Sequence, residues 1–250
     1  ISHSFPNNTE KQSKRLKRLK ERTKKMTKSV KSSQQGRLMG NQMPSVRIVP
    51  EYDYTDGADA VRILAVGKLI VDPWQSEVLN DWMGRTDEDI WSAPTCGLSV
   101  PRQNGKTLDT SGRIASGMIM YSEWVIYTAH LQKTATETFM ELRGLFESRG
   151  LRKYIKEIKS ALGREQIILK NGGRVVFVAR TRNGGRGLHG DCLVFDEAQE
   201  LTSEQQASFL PAISASRNPQ TIYLGTPPDE NCTGTVFRKI RERAKSGESS

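Results

Sequence analysis

Apolar and polar positions divide the chain into two parts near residue 45. The first 45 residues are polar, rich in lysine and nearly free of aromatic side chains. Beyond them, short apolar runs alternate with longer stretches of helical character. The short runs predict strands, which we place at Thr95–Val100, Trp124–Thr128, Leu193–Phe195 and Thr221–Leu224.

The longer stretches predict the helices of the same region. We place these helices at Ala58–Val66, Gln75–Met83, Lys106–Tyr121, Gln132–Glu147 and Ser203–Leu210. Buried strands that alternate with helices imply an α/β fold with a parallel sheet covered on both faces. Two further short runs, Gln166–Lys170 and Arg174–Ala179, flank Asn171-Gly172-Gly173, a turn sequence that predicts a β-hairpin added to this sheet.

Charge separates a tail from a domain. The segment from Lys11 to Lys31 holds eleven Lys and Arg against one acid, Glu21, whereas the rest of the chain holds 27 basic and 27 acidic residues. We therefore predict a basic tail over residues 1–45, a domain over 46–245 and a short tail over 246–250. The basic tail is either a solvated, disordered segment or one that attaches to nucleic acid or another polyanion.

Composition argues against export and against membrane insertion. The longest stretch without a charged residue is 12 residues, too short for a membrane helix. No apolar run follows the basic segment, so it is not a secretory signal. Cys96, Cys192 and Cys232 lack metal-ligand spacing, and we expect packing or surface cysteines in a reducing cytoplasm. Because the chain begins with Ile1 and not Met, we expect a fragment or a processed product.

One segment has the character of a phosphate-binding loop, because it follows a predicted strand and opens a predicted helix. The loop residues are Pro101, Arg102, Gln103, Asn104 and Gly105. Gly105 permits a close approach of the backbone, Lys106 can reach the β- and γ-phosphates of ATP, and the Thr107 hydroxyl can complete a magnesium shell. Val100 replaces the first glycine of the G-x-x-x-x-G-K-T pattern, so a chance Gly-Lys-Thr is the alternative.

A second segment supplies two adjacent carboxylates. Asp196 and Glu197 end an apolar strand 90 residues after Lys106. Asp196 suits Mg²⁺ binding beside a phosphate loop, and Glu197 can orient or deprotonate the attacking water. The alternative is a strand that runs into an acidic helix cap. Together the two segments predict a P-loop NTPase of the ASCE, RecA-like type that binds ATP and Mg²⁺, with a mainly parallel central sheet flanked by helices.

Two single residues fit such a nucleotide site, and each has a structural alternative. Gln75 lies 31 residues before Lys106, and its amide could read the donor and acceptor edges of adenine, or it could belong to a helix start that carries a core Trp74. Thr226 lies 30 residues beyond Asp196, and its hydroxyl could sense the γ-phosphate, or the residue could sit in a simple strand-ending turn.

Three arginines share the glycine-rich segment 179–190 just before the acidic strand. A flexible guanidinium can neutralise the charge that develops on a transferred phosphoryl group. Arg180, Arg182 and Arg186 are all candidates for this role, and a mobile basic surface loop is the alternative.

Taken together, these motifs resemble the large terminase subunit of tailed double-stranded DNA phages, over roughly residues 49–243. The match is most specific in Val100–Thr107, where Arg102 replaces a generic loop residue and the first glycine is missing. Other motifs occur in the matching order, namely Asp72-Pro73-Trp74-Gln75, Thr128-Ala129-His130 with Thr134-Ala135, Arg186-Gly187, Asp196-Glu197-Ala198 and Gly225-Thr226-Pro227.

The resemblance implies an ATP-hydrolysing motor that drives viral DNA into a procapsid in the host cytoplasm. Its implied partners are double-stranded DNA, the portal protein, the small terminase subunit and further copies of the chain in a homo-oligomeric ring. It also implies that Arg102 senses the γ-phosphate in cis and that Arg186 acts as a finger in trans. A typical large terminase continues into a nuclease domain. The chain stops at Ser250 without one, so we do not expect nuclease activity from it.

Two other functions compete with this one. A helicase-like (superfamily 2) DNA-dependent ATPase has a similar acid box at Asp196-Glu197-Ala198-Gln199, but such enzymes use a second lobe for which the chain leaves no room. A non-enzymatic DNA adaptor would use the basic tail, and an intact Lys106 with both carboxylates argues against it.

Overall fold

The computed structural model describes residues 40–163, 165–181 and 184–246. The basic tail predicted for residues 1–45 therefore lies outside the described residues except for its last six positions, and of the tail predicted for 246–250 only Ser246 is described. The chain divides into two units, Ile1–Gly40 and Asn41–Ser250, and the second holds all the elements below.

The described part of the second unit alternates strands with helices, as predicted. Its strands are β1 Tyr54–Thr55, β2 Gly84–Arg85, β3 Thr95–Ser99, β4 Trp124–Ala129, β5 Ile155–Lys159, β6 Gln166–Leu169, β7 Arg174–Ala179, β8 Cys192–Phe195 and β9 Gln220–Gly225. Its α-helices are α1 Gly57–Val66, α2 Pro73–Trp82, α3 Lys106–Ser116, α4 Gln132–Glu147, α5 Ser203–Phe209 and α6 Val236–Ser246.

Seven strands form the central sheet, in the order β3-β9-β8-β4-β7-β6-β5. The first five are mutually parallel, and β6 and β5 continue the sheet antiparallel. The prediction of a mainly parallel sheet flanked by helices is confirmed. A small antiparallel pair, β1 with β2, lies apart from it.

The predicted hairpin is present as β6 and β7, and it joins the sheet next to β4. β7 pairs with β6 on one side and lies parallel to β4 on the other, from Trp124 opposite Arg174 to Ala129 opposite Ala179. The predicted helix Lys106–Tyr121 is continuous, but its last residues, Gly117–Tyr121, form a π-helical turn.

Apart from the short pair β1 and β2, which was also not predicted, a strand and a helix were missed, and both are mostly polar. The edge strand β5 reads Ile-Lys-Glu-Ile-Lys, and none of its side chains is fully buried. Helix α6 carries five basic residues, and it packs against the core through Val236, Phe237 and Ile240. A polar pattern of this kind does not differ from that of a loop when it is read along the chain alone.

The described residues contain no helix long and apolar enough to cross a membrane. Within the same ranges, His, Cys, Asp and Glu side chains form no group of three or more that could hold a metal ion. Cys96 and Cys192 are buried and Cys232 is partly exposed, and all three are free thiols, as packing or surface cysteines would be.

A buried ion pair joins helix α3 to the start of β4. The guanidinium of Arg113 is fully buried and donates to both carboxylate oxygens of Glu123, at 2.7 and 3.1 Å. Its Nε donates to Gln220 Oε1 at 2.8 Å, and the Gln220 amide donates to the carbonyl of Trp82 at 2.8 Å. Helix α3 is thereby bonded to strand β9 and to the end of α2.

Glu123→Ala tests this ion pair. It leaves a fully buried guanidinium without its carboxylate, and we expect it to reduce the free energy of unfolding by about 3–5 kcal/mol in urea denaturation. The matched control is Glu147→Ala, which breaks the half-exposed pair with Arg143 and should cost less than about 1 kcal/mol. Equal losses in the two variants would contradict the central role of the buried pair.

Candidate active site

Three of the predicted site segments gather at one edge of the sheet. The register places Ser99 opposite Gly225, and Phe195 opposite both Tyr223 and Thr128. Because these strands are parallel, their carboxyl ends meet at the same edge. The segments that follow them carry the phosphate loop, the acid pair and Thr226.

The phosphate loop is exposed and stands at the N-terminus of a helix. Residues 101–105 are exposed, and α3 begins at Lys106. Gly105 caps the helix with φ +76°, a conformation that glycine adopts without steric cost. Gln103 also has a positive φ of +62°, which is uncommon for a residue with a side chain. Free N–H groups at such a helix start form an anion site.

The carboxylate of Asp196 is buried and held by two donors. Its Oδ2 accepts from the Tyr127 hydroxyl at 2.5 Å, and its Oδ1 accepts from the Glu197 N–H at 2.7 Å. The Tyr127 hydroxyl also bonds the Thr138 hydroxyl at 2.9 Å. Burial and the neighbouring Asp196 carboxylate raise the pKa of Tyr127 well above its ordinary value, so the phenol stays protonated and donates.

Glu197 has a strained backbone and a carboxylate directed at the start of α4. Its φ is +50°, in the left-handed region that costs free energy for any residue with a Cβ. Its Oε2 accepts from the His130 N–H at 3.1 Å, and its Oε1 accepts from the Thr134 hydroxyl at 3.3 Å. Both donors belong to the motif Thr128-Ala129-His130 with Thr134-Ala135. The residue types alone did not show that this motif takes part in the site.

Arg180 is buried and bonded to the backbone of the acid pair. Its Nη1 donates to the carbonyls of Asp196 and Thr128, and its Nη2 donates to the carbonyl of Glu197 at 3.0 Å. Burial lowers the pKa of this guanidinium to about 10, although the two acids act in the opposite direction. Only 5% of Arg180 is exposed, so it cannot reach a neighbouring molecule without leaving the core.

Arg186 is exposed, and the base of its loop is tightly packed. A Cβ at Gly185 would lie 2.2 Å from the Ser208 carbonyl oxygen, and one at Gly184 would lie 2.9 Å from the Phe209 ring. Gly187, directly after Arg186, has a positive φ of +77°. Of the three candidate arginines, the structure therefore presents Arg186 to solvent and buries Arg180. Arg182 lies outside the described residues.

Arg102 and Thr226 line the same cleft, whose volume is about 380 Å³. Thr226 donates its N–H to the side-chain Oε1 of Gln199 at 3.2 Å, and Gln199 follows the acid pair by two residues. The Val100 N–H donates to the Gly225 carbonyl at 3.1 Å. The phosphate loop, the Thr226 segment and the acidic strand are thus joined by hydrogen bonds.

Gln75 contacts the phosphate loop from inside the protein. Its Oε1 accepts from the Asp72 N–H at 2.8 Å, and its Nε2 donates to the Gly105 carbonyl at 3.0 Å. Asp109, one turn into α3, is buried nearby; burial raises its pKa to about 8, although the nearby Gln75 amide acts in the opposite direction. The reading of adenine by Gln75 stays a prediction.

Comparison with known proteins identifies the fold. No protein-family model matches the sequence, and no curated protein does. The large terminase of bacteriophage HK97 superposes with a TM-score of 0.64 at 15% identity, over 78% of this chain and 42% of that one. The ATPase domain of the Thermus phage P74-26 large terminase superposes with a TM-score of 0.53 at 14% identity, over 71% of each chain. The fold predicted from the resemblance is confirmed, and the chain spans less than half the length of the HK97 protein.

Arg180 and Arg186 should differ in what they contribute to folding. Arg180→Met removes the donor from three backbone carbonyls in the core, and we expect it to reduce the free energy of unfolding by about 1–3 kcal/mol. Arg186→Ala changes an exposed side chain and should stay within about 0.5 kcal/mol of the parent chain. Urea denaturation measures both, and a larger loss for Arg186→Ala would contradict the burial of Arg180 and the exposure of Arg186.

Proposed function

We propose that this chain, which has the fold of the ATPase domain of phage large terminases, is the ATP-hydrolysing motor domain of such a terminase. It drives double-stranded viral DNA into a procapsid, converting ATP and water to ADP and phosphate. The observation that carries the proposal is the meeting of an exposed phosphate loop, the acid pair of the buried Asp196 and the partly buried Glu197, and the Arg180 guanidinium at one edge of the sheet.

The phosphate loop binds the nucleotide in this proposal. The exposed N–H groups before α3 and the Lys106 ammonium neutralise the phosphate charge. Arg102 and Thr226 line one cleft at this edge, which suits two residues that respond to the γ-phosphate.

Oxygen ligands at this edge suit Mg²⁺, which binds one or two carboxylates or hydroxyls together with phosphate oxygens and waters. Thr107 and Asp196 would hold it, and the Tyr127 hydroxyl would keep the Asp196 carboxylate in one orientation. When bound, the ion neutralises charge on the β- and γ-phosphate oxygens.

Glu197 is the residue that activates water in this proposal. An ionised carboxylate accepts the proton of the attacking water as the bond to the γ-phosphate forms. The backbone of Glu197 is fixed by Arg180, whereas its carboxylate is bonded only by the His130 N–H and the Thr134 hydroxyl among the contacts described. A held backbone with a less restrained side chain suits a group that has to meet a substrate.

Arg186 is the finger in this proposal and acts on the nucleotide of a neighbouring copy. It is exposed, its loop has a fixed base, and the buried Arg180 holds the same loop to the acid pair. A homo-oligomeric ring on the portal protein, with the small terminase subunit and DNA, is the assembly in which such a finger would work. The helicase-like alternative has only its acid box in support.

The first functional prediction separates binding from hydrolysis. Lys106→Ala should lose tight ATP binding, because it removes the charge that neutralises the phosphates. Glu197→Gln should bind ATP and fail to hydrolyse it, because an amide does not accept the proton of the water. Calorimetry measures binding and phosphate release measures turnover. Lys133→Ala, at an exposed lysine on α4, is the matched control and should change neither. Normal hydrolysis by Glu197→Gln would remove that residue from the catalytic role.

The second functional prediction concerns the finger. Arg186→Ala keeps an intact pocket and Glu197→Gln keeps an intact finger, so each variant should be inactive alone. Their mixture should recover part of the ATPase activity wherever an intact pocket meets an intact finger. Finger arginines in other phosphoryl-transfer systems contribute about 10³–10⁵ in rate, so recovery should be easy to detect. An absence of recovery in assemblies shown to be mixed would indicate that Arg186 acts on the nucleotide of its own subunit or takes no part in the reaction.

A further inference from the structure

Gln75 makes its side-chain hydrogen bonds inside the protein, and one of them reaches the phosphate loop at Gly105. Resting on the proposed function, we propose that Gln75 is a positioning residue of the phosphate loop, which acts on the triphosphate through Gly105 whichever base the nucleotide carries. This role differs from the reading of adenine, in which the amide would touch the base itself.

Both ends of the Gln75 amide are hydrogen-bonded within the protein. Its Oε1 accepts from the Asp72 N–H at 2.8 Å, and its Nε2 donates to the Gly105 carbonyl at 3.0 Å. Only 4% of the residue is exposed. Adenine recognition by a glutamine needs a donor and an acceptor side by side that are open to the base, whereas here each end of the amide already bonds a protein group and the side chain is almost fully buried.

The bond to the Gly105 carbonyl determines where the next N–H points. The peptide unit between Gly105 and Lys106 is planar and trans, so its C=O and its N–H point in opposite directions. The carbonyl is bonded by the buried Gln75, and it also accepts from the Leu108 N–H at 2.9 Å. The Lys106 N–H is therefore directed away from the interior, at the start of the helix where phosphate is expected.

Helix α2 can act as a support because it is packed rigidly on α3. A Cβ at Gly112 would lie 2.9 Å from a methyl carbon of Leu64 and 3.2 Å from one of Leu79, so the three helices meet without spare room. Leu64 and Leu79 are fully buried. The position of Gln75 is thus set by the core, and through it the core sets the peptide that precedes Lys106.

The chain contains a matched control for this residue. Gln205 has the same place in helix α5 as Gln75 has in α2, because its Oε1 accepts from the Thr202 N–H at 3.2 Å in a capping box. The recorded hydrogen bonds of Gln205 join it to Thr202 and to Ser208, and none reaches the phosphate loop. Gln205→Ala therefore removes a helix cap contact and leaves the loop untouched.

The experiment compares Gln75→Ala with Gln205→Ala in the full chain, using ATP, GTP and inorganic tripolyphosphate as ligands. Tripolyphosphate has neither base nor ribose and reports on the loop alone. We expect Gln75→Ala to weaken all three by the same factor, roughly fivefold, the size of one lost hydrogen bond. The ratio of ATP to GTP affinity should not change. Gln205→Ala should lower the Tm by a similar amount and keep all three affinities.

Each outcome decides between the two roles. Weakened ATP binding with unchanged tripolyphosphate binding would establish base recognition and overturn the proposal, as would unchanged affinity for every ligand. Should Gln75→Ala fail to fold, Gln75→Met fills the same volume without a donor and carries the same expectation. A parent chain that binds neither ATP nor tripolyphosphate would instead refute the proposed function, so the two failures are distinguishable.

Discussion

The parallel pairing of β3, β9, β8 and β4 is the constraint on which the rest of the structure depends. Since these strands run in one direction, each ends at the same edge, and the residue that follows each of them emerges beside the others. Val100, Thr226, Asp196 and His130 are all such residues. Side chains that are 30 to 126 positions apart in the chain thereby become neighbours, and a nucleotide site can form without any of them being close in sequence.

Backbone carbonyls and a buried carboxylate lie at that edge, and they need hydrogen-bond donors from the core. Arg180 bonds three carbonyls there, and the Tyr127 hydroxyl bonds the Asp196 carboxylate. A non-glycine residue at φ +50°, such as Glu197, persists only where its surroundings determine its conformation. The buried polar contacts of the site are therefore also what holds its catalytic candidate in place, and loss of one of them should affect folding and chemistry together.

The glycine-rich segment 179–190 holds a buried arginine that bonds the acid pair and an exposed arginine that faces solvent. Its first arginine is bonded inside to the acid pair, and its exposed Arg186 lies beyond a pair of glycines that pack on Ser208 and Phe209. A loop with a fixed base and an exposed tip can present a guanidinium to another molecule at little cost in conformational entropy. In the proposed ring, such a loop would connect the acid pair of one copy to the surface of a second copy.

Local sequence determined the elements whose pattern is strong. The bounds of helix α4 at Gln132–Glu147, the start of α3 at Lys106 and the five parallel strands could all be predicted, because apolar periodicity and a Gly-Lys-Thr helix start are local signals. The polar strand β5 and the basic helix α6 could not, since their burial depends on partners far along the chain. Only the tertiary structure placed β9 between β3 and β8, buried Arg180 while exposing Arg186, and turned the Gln75 amide toward Gly105. A periodic pattern shows which side chains avoid water, whereas the carbonyl that a buried amide or guanidinium bonds is decided by how the elements pack.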